Sequence, residues 1–192
     1  MTTDAAGCLE PAARRFGRLR LLRRFGRDRK GTAAIEFGMV AAPFLALMFA
    51  ILETALVFFA SQTLETAVAD SARLIMTGQA QTAATPFTQD NFKSAVCSRI
   101  YALFDCPGGL KIDVRSYSSA SGWPAVTTPV NAQGELINDF QYSPGTAGDV
   151  VVVRAMYEWP VMLPFFGLNL SNLANGKRLI MSTSSFRNEP FL

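Results

Sequence analysis

The chain has 192 residues, of which 49% are hydrophobic, and its 18 basic and 15 acidic side chains give a net charge of +3. This length suits one domain, or one domain with an appendage. The chain contains no histidine, so it lacks the most common general base and metal ligand, and it has no Gly-rich phosphate-binding loop or nucleophile elbow. These features argue against an enzyme, and we predict neither a cofactor nor a metal site.

The N-terminal 30 residues are strongly basic. They carry nine Arg and Lys against three acidic residues, a net of +6, so the remainder of the chain sums to −3. A basic tail of this kind could bind nucleic acid. Its position directly before an apolar segment is instead typical of the cytoplasmic flank of a membrane span, where it also meets anionic lipid. We therefore predict a cytoplasmic leader or tail over residues 1–31 and no nucleic-acid partner.

An apolar segment follows the basic residues. Residues 38–59 contain Glu53 as their single charged residue, and about 20 apolar residues suffice to cross a bilayer. A secretory signal peptide has a shorter apolar core followed by a small-residue cleavage site, and this segment continues instead into more helix. We predict one membrane span with the N-terminus in the cytoplasm.

The helical pattern continues beyond the span. Leu64, Val68, Ala72 and Met76 recur at every fourth position, as in an amphipathic helix, and Gly78 is a candidate helix terminator. One long helix is therefore predicted over residues 32–77, half in the membrane and half beyond it. Within it, Pro43 removes one backbone hydrogen bond, so we expect a local kink there.

The remaining residues, 78–192, predict an outer α+β domain. A second helix is indicated by apolar residues at every fourth position, with Thr88 as its candidate N-cap. Three β-strands follow in "LKIDVRSYS", "DVVVVRAMYEW" and "KRLIMSTSSFR". Helix first and strands afterwards predict an antiparallel sheet. The apolar positions of the second helix are Phe92, Val96, Ile100 and Phe104.

The junction between leader and span carries a recognisable motif. In "GTAAIEF", Gly31 is followed by four residues, Glu36 and Phe37, which resembles the processing site of type IV prepilins and fits the pattern of their Flp or tight-adherence branch. The resemblance implies that a membrane aspartyl peptidase cuts after Gly31 and leaves Thr32 as the new N-terminus. It further implies that Glu36 pairs with the terminal amine of a neighbouring subunit. The alternative is that Glu36 is an interfacial residue or favours the helix N-terminus.

The C-terminal segment is a second point of resemblance. A strand, an apolar Pro-containing loop, another strand and the sequence Arg187, Asn188, Glu189, Pro190 resemble the end of TadE-like pilus assembly proteins. The chain is thereby identified as a TadE-like minor pseudopilin of the tight-adherence (type IVc) pilus system. This implies a single-pass protein of the bacterial inner membrane with its C-terminal domain in the periplasm, either retained there or incorporated in an extracellular pilus. The implied partners are other pilins or pseudopilins, the prepilin peptidase, the inner-membrane assembly platform and the lipid bilayer.

A rival interpretation is a membrane-anchored binding or adhesin module that is never processed. Its support is the apolar loop "WPVMLPFFGLNL", in which Trp159, Phe165 and Phe166 are candidate contacts for another subunit or the bilayer surface. The alternative is that these side chains cap the open face of the sheet.

Glu53 is unexpected within a span. It lies 17 residues after Glu36, about 25 Å farther along a helix, and an intramembrane carboxylate is costly unless it faces a partner. The sequence leaves two explanations open, a partner helix of another subunit or a neutral protonated form. We include Glu53 with Glu36 among the candidate subunit contacts.

The three cysteines test the predicted topology. Cys8 precedes the span, whereas Cys97 and Cys106 follow it, where oxidation is permitted. Their spacing does not suit a CxxC redox pair, and a chain without histidine is a poor candidate for a zinc site. We predict a disulfide between Cys97 and Cys106, with two separate buried thiols as the alternative.

Overall fold

The structure is a computed structural model that describes residues 31–100, 104–118, 128–162 and 169–191. The basic leader lies outside the described residues. The chain divides into two compact units, residues 1–48 and residues 49–192. The predicted α+β class is confirmed. The helices are α1 (Thr32–Met76), α2 (Gln79–Thr82), α3 (Gln89–Cys97) and α4 (Cys106–Gly109), and the strands are β1 (Leu110–Tyr117), β2 (Val150–Trp159) and β3 (Arg178–Arg187).

Helix α1 has 45 residues and runs through Pro43 without interruption. It ends one residue before the predicted position, where Gly78 adopts the left-handed conformation with φ 78° that glycine accepts without steric cost. From Glu53 onward one face of the helix is buried at intervals of three or four residues, as expected of an amphipathic helix. The buried residues are Glu53, Val57, Ala60, Leu64, Ala67, Val68, Ser71, Ala72 and Ile75.

The sheet has three antiparallel strands in the order β1-β2-β3. Each strand lies within one residue of the predicted bounds. The inner face of the sheet, rich in Val and Ile, belongs to the same hydrophobic core as the buried face of α1. This packing explains why a sheet of only three strands can be stable, since one of its faces is covered by helix.

Helix α3 is shorter than its apolar spacing predicts. Phe92 and Val96 are buried on it, and Thr88 caps its N-terminus by accepting a hydrogen bond from the backbone N–H of Asn91 at 3.3 Å. The helix ends at Cys97, and Ile100 lies beyond it in a turn. The backbone N–H of Ile100 donates a hydrogen bond to the carbonyl of Cys97. The spacing of apolar residues could not reveal this end, because Ile100 is buried in the core although it lies beyond the helix.

Candidate functional site

The predicted processing segment lies at the start of α1. Thr32 is the first residue of the helix, and Gly31, Thr32, Glu36 and Phe37 are all exposed. A side chain added at Gly31 would meet nothing within 4 Å. Glu36 lies one turn into the helix, about 6 Å along the axis from Thr32. The motif residues are therefore all exposed at the start of the helix.

Helix α1 is, within the described residues, the single helix long and apolar enough to cross a membrane, and its mean hydropathy reaches 2.2 over 18 residues. Such a surface is stable in lipid or against other apolar surfaces. The helix therefore fits a single-pass membrane anchor. Its exposed large apolar residues up to residue 52 are Ile35, Phe37, Met39, Val40, Phe44, Leu45, Leu47, Met48, Phe49, Ile51 and Leu52.

Glu53 has a partner in its own chain. The side chain is 5% exposed, and its Oε1 accepts a hydrogen bond from the backbone N–H of Met162 at 2.7 Å. The structure provides a backbone donor 109 residues away, which no local sequence signal could have indicated. A helix of another subunit and a protonated carboxyl, the two explanations drawn from the sequence, stay predictions.

The apolar loop after β2 divides into a buried start and an exposed continuation. Trp159, a predicted subunit contact, is only 6% exposed and packs edge-on against Phe104. Phe104 also packs edge-on against Tyr157, with ring centroids 4.8 Å apart. Trp159 thus belongs to the core of this chain. Met162, by contrast, is 58% exposed. The other two predicted contacts, Phe165 and Phe166, lie outside the described residues.

The C-terminal motif makes structural contacts centred on Asn188, which is buried. Its backbone N–H bonds to the carbonyl of Asp149 at 2.8 Å. Its side-chain Nδ2 donates to the carbonyls of Pro144 at 2.9 Å and Thr146 at 3.0 Å. Asn188 therefore holds the loop that leads into β2.

The neighbours of Asn188 extend this attachment to α1. The Arg187 guanidinium donates from Nε to the carbonyl of Gly148 at 2.8 Å. The backbone N–H of Glu189 donates to the carbonyl of Met76 at 2.9 Å, one of the helix-terminal carbonyls that lack an intrahelical partner. Pro190 is exposed. The motif thus ties the C-terminus to the end of α1.

Phe191 completes the attachment at the end of α1. A Cβ placed on Gly78 would lie 2.3 Å from the Phe191 ring. The turn after α1 therefore requires glycine for two reasons, its left-handed backbone and the closeness of this ring.

Asp113 is a buried carboxylate at a polar position of β1. The alternation along the strand groups it with Lys111 and Arg115. Asp105 is exposed, but Asp113 is 1% exposed and accepts hydrogen bonds from Arg154 Nε and Arg115 Nε, each at 3.1 Å. A buried charge requires such partners, so this group is structural.

The predicted disulfide is present. Cys97 and Cys106 are bonded with their Cα atoms 5.8 Å apart, a separation in the usual range for disulfides. Cys97 ends α3 and Cys106 begins α4, so the bond joins two helices across the intervening residues. Disulfides are typical of oxidising compartments.

No set of three or more His, Cys, Asp or Glu side chains is placed to hold a metal ion in the described ranges. Among families of known proteins, residues 31–73 match the family described as TadE-like protein. A search of curated proteins and a search of solved structures each returned no match. The family match begins at Gly31 and ends three residues before α1 does, so the C-terminal motif lies outside it.

Proposed function

We propose that this chain, a TadE-like protein of the tight-adherence pilus system, is a pseudopilin or minor pilus subunit whose leader is removed by cutting after Gly31. The observation that carries the proposal is the position of "GTAAIEF". It coincides with the first exposed turn of α1 and with the start of the family match. A peptidase can reach this turn, and its product would begin at the first residue of the helix.

The proposed cut also gives Glu36 a role. The new ammonium group at Thr32 would sit at a helix N-terminus, where the helix dipole disfavours positive charge. Pairing this ammonium group with Glu36 of a neighbouring subunit would offset that cost. The same pairing would offset the cost of holding the Glu36 carboxylate at the membrane edge. We infer that this amine-to-carboxylate pair aligns subunits, so Glu36 acts in assembly and the proposed role of the chain is structural.

The same proposal assigns a topology. The leader, with its net charge of +6, stays in the cytoplasm because basic flanks resist translocation. Helix α1 crosses the inner membrane, and the outer domain, which contains the disulfide, lies in the periplasm. The proposed partners are other pilins or pseudopilins, the prepilin peptidase, the assembly platform and the surrounding lipid.

The test is the intact mass and N-terminal sequence of the protein recovered from its own membranes. We expect a chain that begins at Thr32. Gly31→Leu should trap the uncut form, and because nothing lies within 4 Å of that site, the change should leave the fold intact. Gly38→Leu is the matched control, since Gly38 has equally free surroundings, and this variant should be cut normally.

A chain that still begins at Met1 would overturn the interpretation of this protein as a processed prepilin. The unprocessed membrane-anchored binding module would then be the better interpretation, since both classes predict a stable outer domain and only the pseudopilin predicts loss of the leader.

A further inference from the structure

The outer part of the span presents two different surfaces at the same level. On one side of α1, Glu53, Val57 and Ala60 are buried. On the other side the large apolar side chains are open, as they would be against lipid. These exposed residues between 49 and 59 are Phe49, Ile51, Leu52, Leu56, Phe58 and Phe59.

Residues 160–162 meet the buried side at the level of Glu53. The Met162 N–H donates to the carboxylate at 2.7 Å, so the backbone of Met162 meets α1 at Glu53. Met162 is 58% exposed, and Pro160 is exposed as well. An exposed apolar residue of the outer domain is thus held against the buried side of the helix, in the part of α1 whose other side exposes large apolar residues.

The local chemistry suits an apolar environment. Backbone N–H groups are costly in hydrocarbon unless they are paired. Two of the three residues present no unpaired N–H, since that of Met162 is paired with Glu53 and Pro160 has none; Val161 is only partly exposed. The carboxylate, which would be costly in lipid, is itself buried on the protein side. Removing an apolar methionine side chain from water is favourable, so lipid is a better neighbour than water.

We propose that residues 160–162, positioned by Glu53, enter the outer leaflet of the bilayer and form a second membrane contact beside α1. The occupant of this surface is the acyl-chain region of lipid, because Met162 is exposed and held at Glu53, within the part of α1 whose other side exposes large apolar residues. The inference rests on the membrane anchoring and orientation proposed above. It assigns Glu53 to positioning the outer domain at the membrane surface and not to pairing between subunits.

The experiment uses the full chain reconstituted in phosphatidylcholine vesicles, with a fluorescent label on one introduced cysteine. Cys8→Ser removes the unpaired thiol, and Cys97 and Cys106 are bonded to each other. Lipids brominated on their acyl chains serve as contact quenchers. We expect quenching of a label at Met162→Cys comparable to that at Phe58→Cys, which is exposed on the span. Met181→Cys, exposed on β3, is the matched control and should not be quenched.

The outcomes separate this inference from the proposed function. Quenching at position 58 without quenching at position 162 would overturn the second membrane contact and leave the anchor standing. Quenching at neither position would overturn the anchor and this inference with it.

A second pair of variants tests the positioning by Glu53. Glu53→Ala should abolish most of the quenching at position 162 while leaving that at position 58 unchanged, and Glu53→Gln, which keeps an acceptor oxygen, should retain more of it. Unchanged quenching at position 162 in Glu53→Ala would show that Glu53 does not position the segment.

Discussion

Asp113 and Arg154 show how a single charged pair can organise one face of a small sheet. The two residues lie opposite each other in the register of β1 and β2. On the same carboxylate, Oδ1 accepts a hydrogen bond from the backbone N–H of Gln141 at 2.9 Å. The segment around Gln141 therefore covers the pair, and the several donors offset the desolvation of the carboxylate.

We predict that Asp113→Ala destabilises the outer domain by about 3–5 kcal/mol, because it leaves the Arg154 guanidinium buried without this carboxylate. The matched control is Asp139→Ala. Asp139 also pairs with Arg115, at 3.3 Å, but its side chain is 69% exposed, so its loss should cost about 1 kcal/mol or less. Chemical denaturation followed by circular dichroism measures both. Equal effects of the two variants would contradict the structural role of the buried pair.

At the scale of elements, the disulfide fastens α3 to the start of the sheet. It joins the last residue of α3 to the first of α4, and α4 leads directly into β1. Lys93 Nζ adds a hydrogen bond to the carbonyl of Pro107 at 2.8 Å. Gln89 adds another to the carbonyl of Ile112 at 2.7 Å. The helix is thus tied to α4 by Lys93 and Cys97 and to β1 by Gln89.

Reduction of this disulfide should lower the free energy of unfolding by about 2–3 kcal/mol, chiefly because the unfolded chain gains freedom when a short loop is opened. Alkylation without reductant should leave both Cys97 and Cys106 unmodified and linked in one peptide map. Cys8→Ser is the control and should leave the stability unchanged. Free reaction of Cys97 and Cys106 in unreduced, unfolded protein would show that no bond forms and would remove support for a periplasmic domain.

Helix α1 has different surroundings before and after Glu53. From Glu53 to its end, its buried face packs in the core of the outer domain, and the carbonyl of Met76, its last residue, accepts a hydrogen bond from Glu189 of the C-terminal motif. Before Glu53 its apolar side chains are exposed. The C-terminal part of the helix therefore packs as in a soluble domain. Its N-terminal part exposes an apolar surface of the kind that lipid or other subunits cover.

For the whole molecule, the consequence is that the exposed half of α1 is also a surface on which subunits can meet. In a bilayer, helices associate through close packing and polar contacts, because lipid is as apolar as the helices themselves. A charged group at the end of such a helix can then determine which neighbour is accepted. We propose Glu36 for this contact, since it is exposed one turn from Thr32.

We expect Glu36→Ala to leave cutting after Gly31 less affected than association with other subunits, because the proposed amine exists only after the cut. The measurement is the N-terminal mass together with cross-linking to other pilins in the native membrane. Glu65→Ala, a change of an exposed glutamate in the outer half of the same helix, is the control and should alter neither. Unchanged association of Glu36→Ala would make Glu36 merely interfacial.

The sequence by itself determined the features that depend on neighbours along the chain. Apolar spacing and Gly78 predicted α1 and its end, Thr88 marked the start of α3, and alternating or continuous apolar runs marked the three strands. Each of these signals acts within a few residues, so an unfolded chain already contains it. The family resemblance at Gly31 and Glu36 is equally local.

Only the tertiary structure decided the roles of Asp113, Glu53 and Trp159. Asp113 follows the alternation of an exposed residue, and it is buried because Gln141, 28 residues later, covers it. Glu53 finds its donor in Met162, 109 residues away. Trp159 is buried because Phe104 and the inner face of the sheet close over it. Burial depends on which distant segments pack together, and residue type and spacing do not encode that directly.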